Sequence, residues 1–141
     1  MAVLVQRFIP GTYSGVIFSQ SPLDSRYSII EVVPGLAKGL VDGTVEPERW
    51  EIDRRDGEIH SHLLPTEPRQ TIANAEDGVR KVQIENTDFG SILSIEEVKE
   101  VYSLAREAES IFGTPQDVEW TFGGFGLQIL QSRQIKKKKQ D

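Results

Sequence analysis

Four polar side chains near the end of the chain have the types and the spacing of a magnesium and phosphate site. Asp117 and Glu119 lie two residues apart, and so do Gln131 and Arg133. Residues two apart on a β-strand point to the same face of a sheet. The glycine-rich run at 123–126 between the two segments is typical of a hairpin turn. We therefore expect one hairpin with all four polar groups on one face.

The register of this hairpin decides which side chains meet. An odd-length loop around Phe125, of about three or five residues, places Glu119 opposite Gln131 and Asp117 opposite Arg133. The other face then receives the residues that alternate with the polar ones: Val118, Trp120, Leu130 and Ser132.

The chemistry open to this hairpin is phosphoryl transfer. A carboxylate oxygen beside an amide oxygen supplies two hard ligands for Mg²⁺, which keeps several waters and takes only one or two protein ligands besides substrate phosphates. An adjacent guanidinium binds phosphate oxygens bidentately and offsets developing charge. The alternative is structural: Asp117 and Arg133 form a cross-strand ion pair worth less than ~1 kcal/mol, while Glu119 and Gln131 face solvent. Spacing alone favours the structural alternative and leaves both open.

The elements that must position these residues are mostly short strands. Alternation and turn residues predict strands in eight segments: residues 3–9, 13–19, 27–33, 49–53, 58–64, 79–85, 116–122 and 127–133. The first two pair across Pro10-Gly11, and the fourth pairs with the fifth across Arg55-Asp56-Gly57. Residues 65–78 are rich in Pro, Glu, Asn and Asp, which predicts an irregular surface excursion. Because the first strand begins so close to Met1, we expect the chain to be cut from something larger.

One helix has clear start and stop signals. Ser94 and Glu97 form a capping box, in which each side chain bonds a free amide at the start of the helix. Apolar residues then recur at helical spacing: Ile95, Val98, Val101, Tyr102, Ala105, Ala108 and Phe112. Gly113 ends the helix, and Pro115 follows as a breaker. The predicted fold class is α+β, a mostly antiparallel sheet with one long helix before the final hairpin.

Composition restricts the class of protein. The 141 residues are enough for one compact domain with a core. A net charge of −6, from 16 basic and 22 acidic residues, argues against a general nucleic-acid binder. The absence of cysteine excludes disulfides, zinc-thiolate sites and thiol catalysis. No apolar run approaches a membrane span of ~20 residues and no secretory signal begins the chain, so we expect a cytoplasmic protein.

Two further features carry weaker hypotheses. His60 and His62 are one residue apart and can share a strand face, but two histidines without a third ligand are more typical of exposed strand residues than of a metal site. The lysines at 136–139 predict a basic tail or linker over residues 136–141, which follows a domain of residues 1–135.

The C-terminal residues resemble a known family. Gly113-Thr-Pro-Gln-Asp-Val-Glu-Trp120 and then Leu127-Gln-Ile-Leu-Gln-Ser-Arg133 are similar to the end of the ATP-grasp domain of phosphoenolpyruvate synthases. The pattern there is G-x-P-Q-D-I-E-W, a glycine turn, and L-x-x-L-Q-[SA]-R-P-I. Trp120 and the Gln-Ser-Arg ending favour the synthases over the related pyruvate phosphate dikinases.

This resemblance assigns roles to the four polar residues. Glu119 and Gln131 are implied to bind Mg²⁺. Arg133 is implied to contact the ATP phosphates as the catalytic arginine, and Asp117 to support it in the nucleotide site.

The resemblance extends to the first strand. Val3-Leu-Val-Gln-Arg-Phe8 is similar to the V-V-V-Q-[KR]-M strand that leads into the adenine hinge of the family. It implies that backbone groups of Gln6, Arg7 and Phe8 hydrogen-bond the base, with Ile9 as an apolar neighbour.

The middle of the chain matches with departures. Ser14-Gly-Val-Ile-Phe-Ser19 matches S-G-V-x-F-[ST], and Gly35-Leu-Ala-Lys-Gly39 resembles the G-L-G-E loop. Lys38 stands where the family has Glu, Ala37 where it has the preceding Gly, and Gln134 where it has Pro.

The resemblance as a whole implies the C-terminal subdomain of an ATP-grasp domain, the ATP- and Mg²⁺-binding half of a phosphotransferase like phosphoenolpyruvate synthase. Such enzymes phosphorylate pyruvate through a phosphohistidine on another domain, so neither His60 nor His62 takes that role. The chain is then inactive alone, and its partners are the N-terminal ATP-grasp lobe and the phosphohistidine and pyruvate domains, or further copies of itself through exposed apolar faces. Rifampin phosphotransferases and pyruvate phosphate dikinases share the motifs. The alternative from a different functional class is a free-standing, non-catalytic nucleotide-binding or interaction module.

Overall fold

The chain forms a six-stranded antiparallel sheet in a computed structural model that describes residues 1–67, 70–75, 78–83 and 90–136. The elements in chain order are β1 Tyr13–Phe18, β2 Tyr27–Pro34, α1 Lys38–Val41, β3 Glu48–Asp53, β4 Ile59–Leu63, β5 Gln70–Ala75, β6 Gly78–Gln83, α2 Ile95–Phe112, β7 Gln116–Gly123 and β8 Gly126–Gln134. The sheet has the order β4-β3-β2-β1-β7-β8, and β5 pairs with β6 in a separate hairpin. This architecture confirms the predicted α+β class.

The helix α2 covers one face of the sheet. Its buried residues Val98, Val101, Ala105 and Ala108 lie at helical spacing. They share a core with alternate residues of four strands: Ile17, Ile30, Val32, Trp50, Ile52, Val118, Trp120 and Phe122. Because side chains alternate along a strand, the residues between these face away from α2.

The helix α2 begins and ends where the sequence predicts. The Ser94 hydroxyl oxygen accepts from the Glu97 amide at 3.2 Å, and the Glu97 carboxylate accepts from the Ser94 amide at 2.8 Å. Gly113 closes the helix with a φ of 69°, in the left-handed region that favours glycine. The capping box and the glycine stop are therefore confirmed.

No helix in the described part of the chain is long and apolar enough to cross a membrane.

The predicted strand at residues 3–9 is wrong, and so is its pairing with the segment at 13–19. Residues 1–12 form no strand or helix, and Val3, Leu4 and Val5 are 76%, 79% and 90% exposed. A strand forms only when its backbone groups find a partner. Both edges of β1 are already occupied, one by β2 and the other by β7.

Two predictions for the middle of the chain also need correction. Residues 65–78 are not simply irregular, because they include β5, which pairs with β6. The strand predicted at 79–85 corresponds to β6, and its last two residues lie outside the described part, as do residues 137–141 of the predicted tail. The helix α1 was not predicted, since one turn is too short to show helical periodicity. Lys38, at its first residue, is exposed.

Candidate functional site

The pairing predicted for the polar residues of β7 and β8 is confirmed. Glu119 lies opposite Gln131, and Asp117 lies opposite Arg133. Val118 and Trp120, which alternate with Asp117 and Glu119 on β7, are fully buried in the core under α2. The four polar side chains therefore lie on the opposite face of the sheet, which we call the site face.

The loop and strand geometry that produces this register differs from the prediction. Gly123 pairs with Gly126, so the loop has two residues rather than an odd number. A β-bulge next to Trp120 then shifts the register by one residue, and Leu130 is the extra residue. Ile129 rather than Leu130 pairs with Trp120.

Asp117 and Arg133 form a directed ion pair on the site face. The Arg133 Nε donates to Asp117 Oδ2 at 2.8 Å, and this hydrogen bond raises the pKa of Arg133. Asp117 is only 7% exposed, and its other oxygen, Oδ1, is buried without a hydrogen-bond partner among the described residues. A buried carboxylate oxygen without a partner is costly. A bound cation, or water on a cation, would satisfy it.

Glu119 and Gln131 are the pair that could share an ion. Glu119 is partly buried and Gln131 is exposed, so the pair opens to solvent on one side. Directly opposite residues of an antiparallel pair have Cβ atoms about 4.5–5.5 Å apart, which lets a carboxylate and an amide oxygen converge on one cation. Two such ligands fit Mg²⁺, which takes its remaining ligands from water and phosphate.

A small cleft lies at the other end of the hairpin. It has a volume of about 240 Å³ and is lined by Arg7, Phe8, Ile9, Pro10, Phe125 and Gln128. Three of the four residues predicted as the adenine hinge thus meet at one cleft, and Gln6 is not among its lining residues. The sequence did not predict the contributions of Pro10, Phe125 and Gln128, because they depend on where the N-terminal segment passes the hairpin.

The cleft and the polar pairs share the site face. Gln128 pairs with Thr121, which alternates with Glu119 and so faces the same way. The N-terminal segment also passes this face, because a Cβ at Gly11 would overlap the Thr121 hydroxyl. Gln128 lies three residues before Gln131 on β8, a distance of about 10 Å along the strand.

A second charged cluster on the site face was not predicted. Arg49 lies 3.1 Å from Glu51 and 3.8 Å from Glu31. Glu31 pairs with Val16, which pairs in turn with Glu119, so one cross-strand row joins the cluster to Glu119 and Gln131. With strands about 4.8 Å apart, the backbones of Glu31 and Glu119 are about 10 Å apart. Alternation in the sequence indicated a shared face, but the register that builds the row is a property of the sheet.

The two histidines pack against separate aromatic rings. His60 stacks on Tyr27 at a centroid distance of 4.5 Å, and His62 stacks on Trp50 at 3.5 Å. His62 Nε2 also lies 2.8 Å from a carboxylate oxygen of Glu48. Within the described ranges, no three His, Cys, Asp or Glu side chains are grouped as a metal cluster.

Comparisons of the sequence with known proteins identify a family. Residues 1–141 match the family described as pyruvate phosphate dikinase, AMP/ATP-binding domain. Over 96% of the chain, 33% of residues are identical to a rifampicin phosphotransferase of Streptomyces, and 32% to a probable phosphoenolpyruvate synthase of Archaeoglobus fulgidus. A prodigiosin synthesizing transferase of Serratia marcescens is 28% identical over the same share.

These relatives are much longer than the chain. It spans 16% of the Streptomyces and Serratia proteins and 18% of the Archaeoglobus protein. Their names differ in the molecule that they act on or make. The match over the whole chain shows that it belongs to the family of pyruvate phosphate dikinase AMP/ATP-binding domains.

Proposed function

We propose that this chain is the ATP- and Mg²⁺-binding half of a phosphotransferase that resembles phosphoenolpyruvate synthase, namely the C-terminal subdomain of its ATP-grasp domain. The observation that carries this proposal is the common placement of two paired sets on the site face. Glu119 with Gln131 and Asp117 with Arg133 lie beyond a cleft at the opposite end of the hairpin. The separation of about 10 Å along β8 suits a molecule with a ring at one end and phosphates at the other.

Each residue has a defined part in this arrangement. Glu119 and Gln131 would hold Mg²⁺, which supplies charge neutralisation at the phosphate oxygens when bound. Arg133 is held by Asp117 through its Nε, so its two Nη groups are the ones that donate to a phosphate. Backbone groups of Gln6, Arg7 and Phe8 would bind the base at the cleft, beside Ile9.

The chain supplies only one side of a phosphoryl-transfer site. Such transfer depends on charge and positioning from several directions, and the site face offers ligands from one sheet. We therefore propose that an N-terminal ATP-grasp lobe and domains carrying a phosphohistidine and a pyruvate site complete the enzyme, on the same or a separate chain. The exposed apolar side chains at Val3, Leu4 and Val5 support a covering partner, or self-association in its absence.

More than one molecule is a candidate for the acceptor of the phosphate. The names of the relatives include rifampicin phosphotransferases as well as phosphoenolpyruvate synthases. Trp120 and the ending at Arg133 resemble the synthases, which favours pyruvate. The second candidate function is a non-catalytic nucleotide-binding or interaction module, in which the exposed apolar side chains of the N-terminal segment would contact a partner.

Calorimetric titration with Mg·ATP tests the nucleotide site. Loss of a residue that merely orients a metal ligand costs about 10–100-fold in metal affinity, so Glu119→Ala should weaken Mg·ATP binding at least that much. Gln131→Ala should weaken it as well. The matched control is Glu58→Ala, an exposed carboxylate in the turn between β3 and β4. Binding of ATP that is equally tight without Mg²⁺, or that survives Glu119→Ala, overturns the proposal.

An assay with and without the proposed N-terminal lobe separates the two candidate functions. If addition of a protein that carries the N-terminal lobe produces ATP-dependent phosphorylation of a histidine domain, the enzymatic function stands. If Mg·ATP binds but no such complement produces transfer, the chain is a binding module.

A further inference from the structure

We propose that Gln128 and Phe125 form the base-recognising wall of the cleft, and that the side-chain amide of Gln128 selects adenine over guanine. This inference rests on the proposed nucleotide function and adds its base specificity. Both residues belong to the hairpin of β7 and β8 and line the cleft.

The size of the cleft limits what it holds. Pockets that enclose a whole small ligand are about 300–1,000 Å³, and this one is about 240 Å³. It therefore fits one planar ring system, while the rest of the molecule continues along the site face. Most of its lining is apolar, from Phe8, Ile9, Pro10 and Phe125. Such a lining suits a nucleobase better than a sugar or a phosphate.

Gln128 supplies the uncharged polar group of the lining. Its neighbour across the hairpin, Thr121, is 1% exposed, so the backbone at this point is anchored in the sheet. Its Nε2 lies 3.4 Å from the carbonyl oxygen of Phe125, a long contact that keeps the amide beside the loop. A base that enters the cleft can replace this contact with a better hydrogen bond.

The amide of Gln128 complements adenine in particular. A glutamine amide donates through its nitrogen and accepts through its oxygen. Adenine presents an acceptor at N7 and a donor at N6, whereas guanine presents acceptors at both N7 and O6. Gln128 can bond adenine at both points and guanine at only one. Arg7 and Phe8 line the same cleft, and their backbone groups would bind another edge of the ring.

Phe125 contributes contact without base preference. It lies at the tip of a two-residue loop and is 79% exposed. An aromatic ring stacks on any base, because every base has a π-face. Phe125 should therefore strengthen binding of all nucleotides alike, while Gln128 sets the choice among them.

The experiment compares Mg·ATP with Mg·GTP in calorimetric titrations of the 141-residue chain. Gln128→Leu keeps the bulk of the side chain and removes both hydrogen bonds. A bidentate contact discriminates between bases by a factor of about ten or more. Gln128→Leu should therefore weaken ATP binding about tenfold and bring the ATP-to-GTP preference close to one. The matched control Gln134→Leu changes an exposed glutamine at the far end of β8 and should keep the preference.

Two further measurements make the outcome unambiguous. Phe125→Ala should weaken ATP and GTP by equal factors, and the control Phe112→Ala, at an exposed ring on α2, should weaken neither. In ¹H–¹⁵N spectra of the wild type, ATP should shift the side-chain amide signals of Gln128. Circular dichroism confirms that each variant is folded.

The possible failures are distinguishable. Mg-dependent ATP binding that Glu119→Ala abolishes, together with an unchanged preference in folded Gln128→Leu, overturns the assignment of Gln128 and leaves the proposed function in place. Absence of any Mg-dependent nucleotide binding overturns both. An unaltered affinity in Phe125→Ala removes Phe125 from the wall.

Discussion

Removal of the Glu48 carboxylate should destabilise the protein more than any change at its surface. Glu48 lies on β3 and is 0% exposed. Its Oε1 accepts from Trp50 Nε1 at 3.0 Å and from the Ser91 hydroxyl at 2.5 Å, and it lies 2.8 Å from His62 Nε2. Its Oε2 accepts from the Ile92 amide at 2.6 Å. One carboxylate thereby connects β3, β4 and the segment that leads into α2.

The magnitude follows from which donors lose their partner in Glu48→Ala. The Ser91 hydroxyl still reaches the Leu93 carbonyl at 2.7 Å, and the side chain of His62 is 28% exposed and can turn to water. The Trp50 indole and the Ile92 amide remain, at about 1–3 kcal/mol for each donor left unpaired. Adding the lost side-chain volume, we expect the free energy of unfolding to fall by about 3–5 kcal/mol. At about 3 °C for each kcal/mol, the Tm falls by about 9–15 °C.

Urea denaturation followed by circular dichroism measures this change. Glu48→Gln keeps the shape but replaces one accepting oxygen with a donor, so its loss should lie between those of the wild type and Glu48→Ala. Glu58→Ala, at an exposed position, should stay within about 0.5 kcal/mol of the wild type. A loss below about 1 kcal/mol in Glu48→Ala, with an unchanged m-value, would refute the view that this carboxylate ties the helix to the sheet.

Three further predictions concern the stability of β1 and of helix α2. A Cβ at Gly15 would overlap the backbone and lie 2.5 Å from Cζ2 of Trp120, so Gly15→Ala should lower the free energy of unfolding by about 1–3 kcal/mol in urea; wild-type stability would contradict this close approach. Burial, and then the hydrogen bond to Glu97, raises the pKa of Tyr13 to about 12. The stabilisation that neutral Tyr13 contributes is therefore complete below pH 10 and lost as the pH rises through 12. Tyr13→Phe should flatten this alkaline decline of the free energy of unfolding in urea titrations, and an unchanged decline would refute the role of Tyr13. Gly113→Ala forces a side chain into a φ of 69° and should cost about 1 kcal/mol in thermal denaturation, whereas an unchanged Tm would show that the helix end adapts.

Elements with local signals were predictable from the sequence. The start and end of α2 depend on Ser94, Glu97 and Gly113, which are adjacent to the bonds that they make. The hairpin of β3 and β4 has its turn residues between its strands in the same way. The strand predicted at residues 3–9 failed because an apolar run shows only that a segment can be a strand. Whether it becomes one depends on a partner edge, and in this sheet both edges of β1 are taken.

The site was predictable to the extent that it lies within one hairpin. Glu119 and Gln131 were placed opposite each other because the two strands are neighbours in sequence. The row that continues to Glu31 and Arg49 crosses strands far apart in the chain, and no pattern within either segment fixes their relative register. For the same reason, the sequence did not show that Gln128 lines the cleft.

The bulge at Leu130 explains how one strand serves both faces of the sheet. Near the loop, Leu127 packs against the core and Ile129 pairs with the buried Trp120, so the odd-numbered residues of β8 face α2. An unbroken strand would keep that alternation and turn Gln131 toward the helix as well. The extra residue reverses it, so that Gln131 faces the same way as Glu119. Bulges commonly re-aim side chains next to active sites. Here one inserted residue lets the loop end of the hairpin support the core while its other end presents Gln131, the proposed metal ligand.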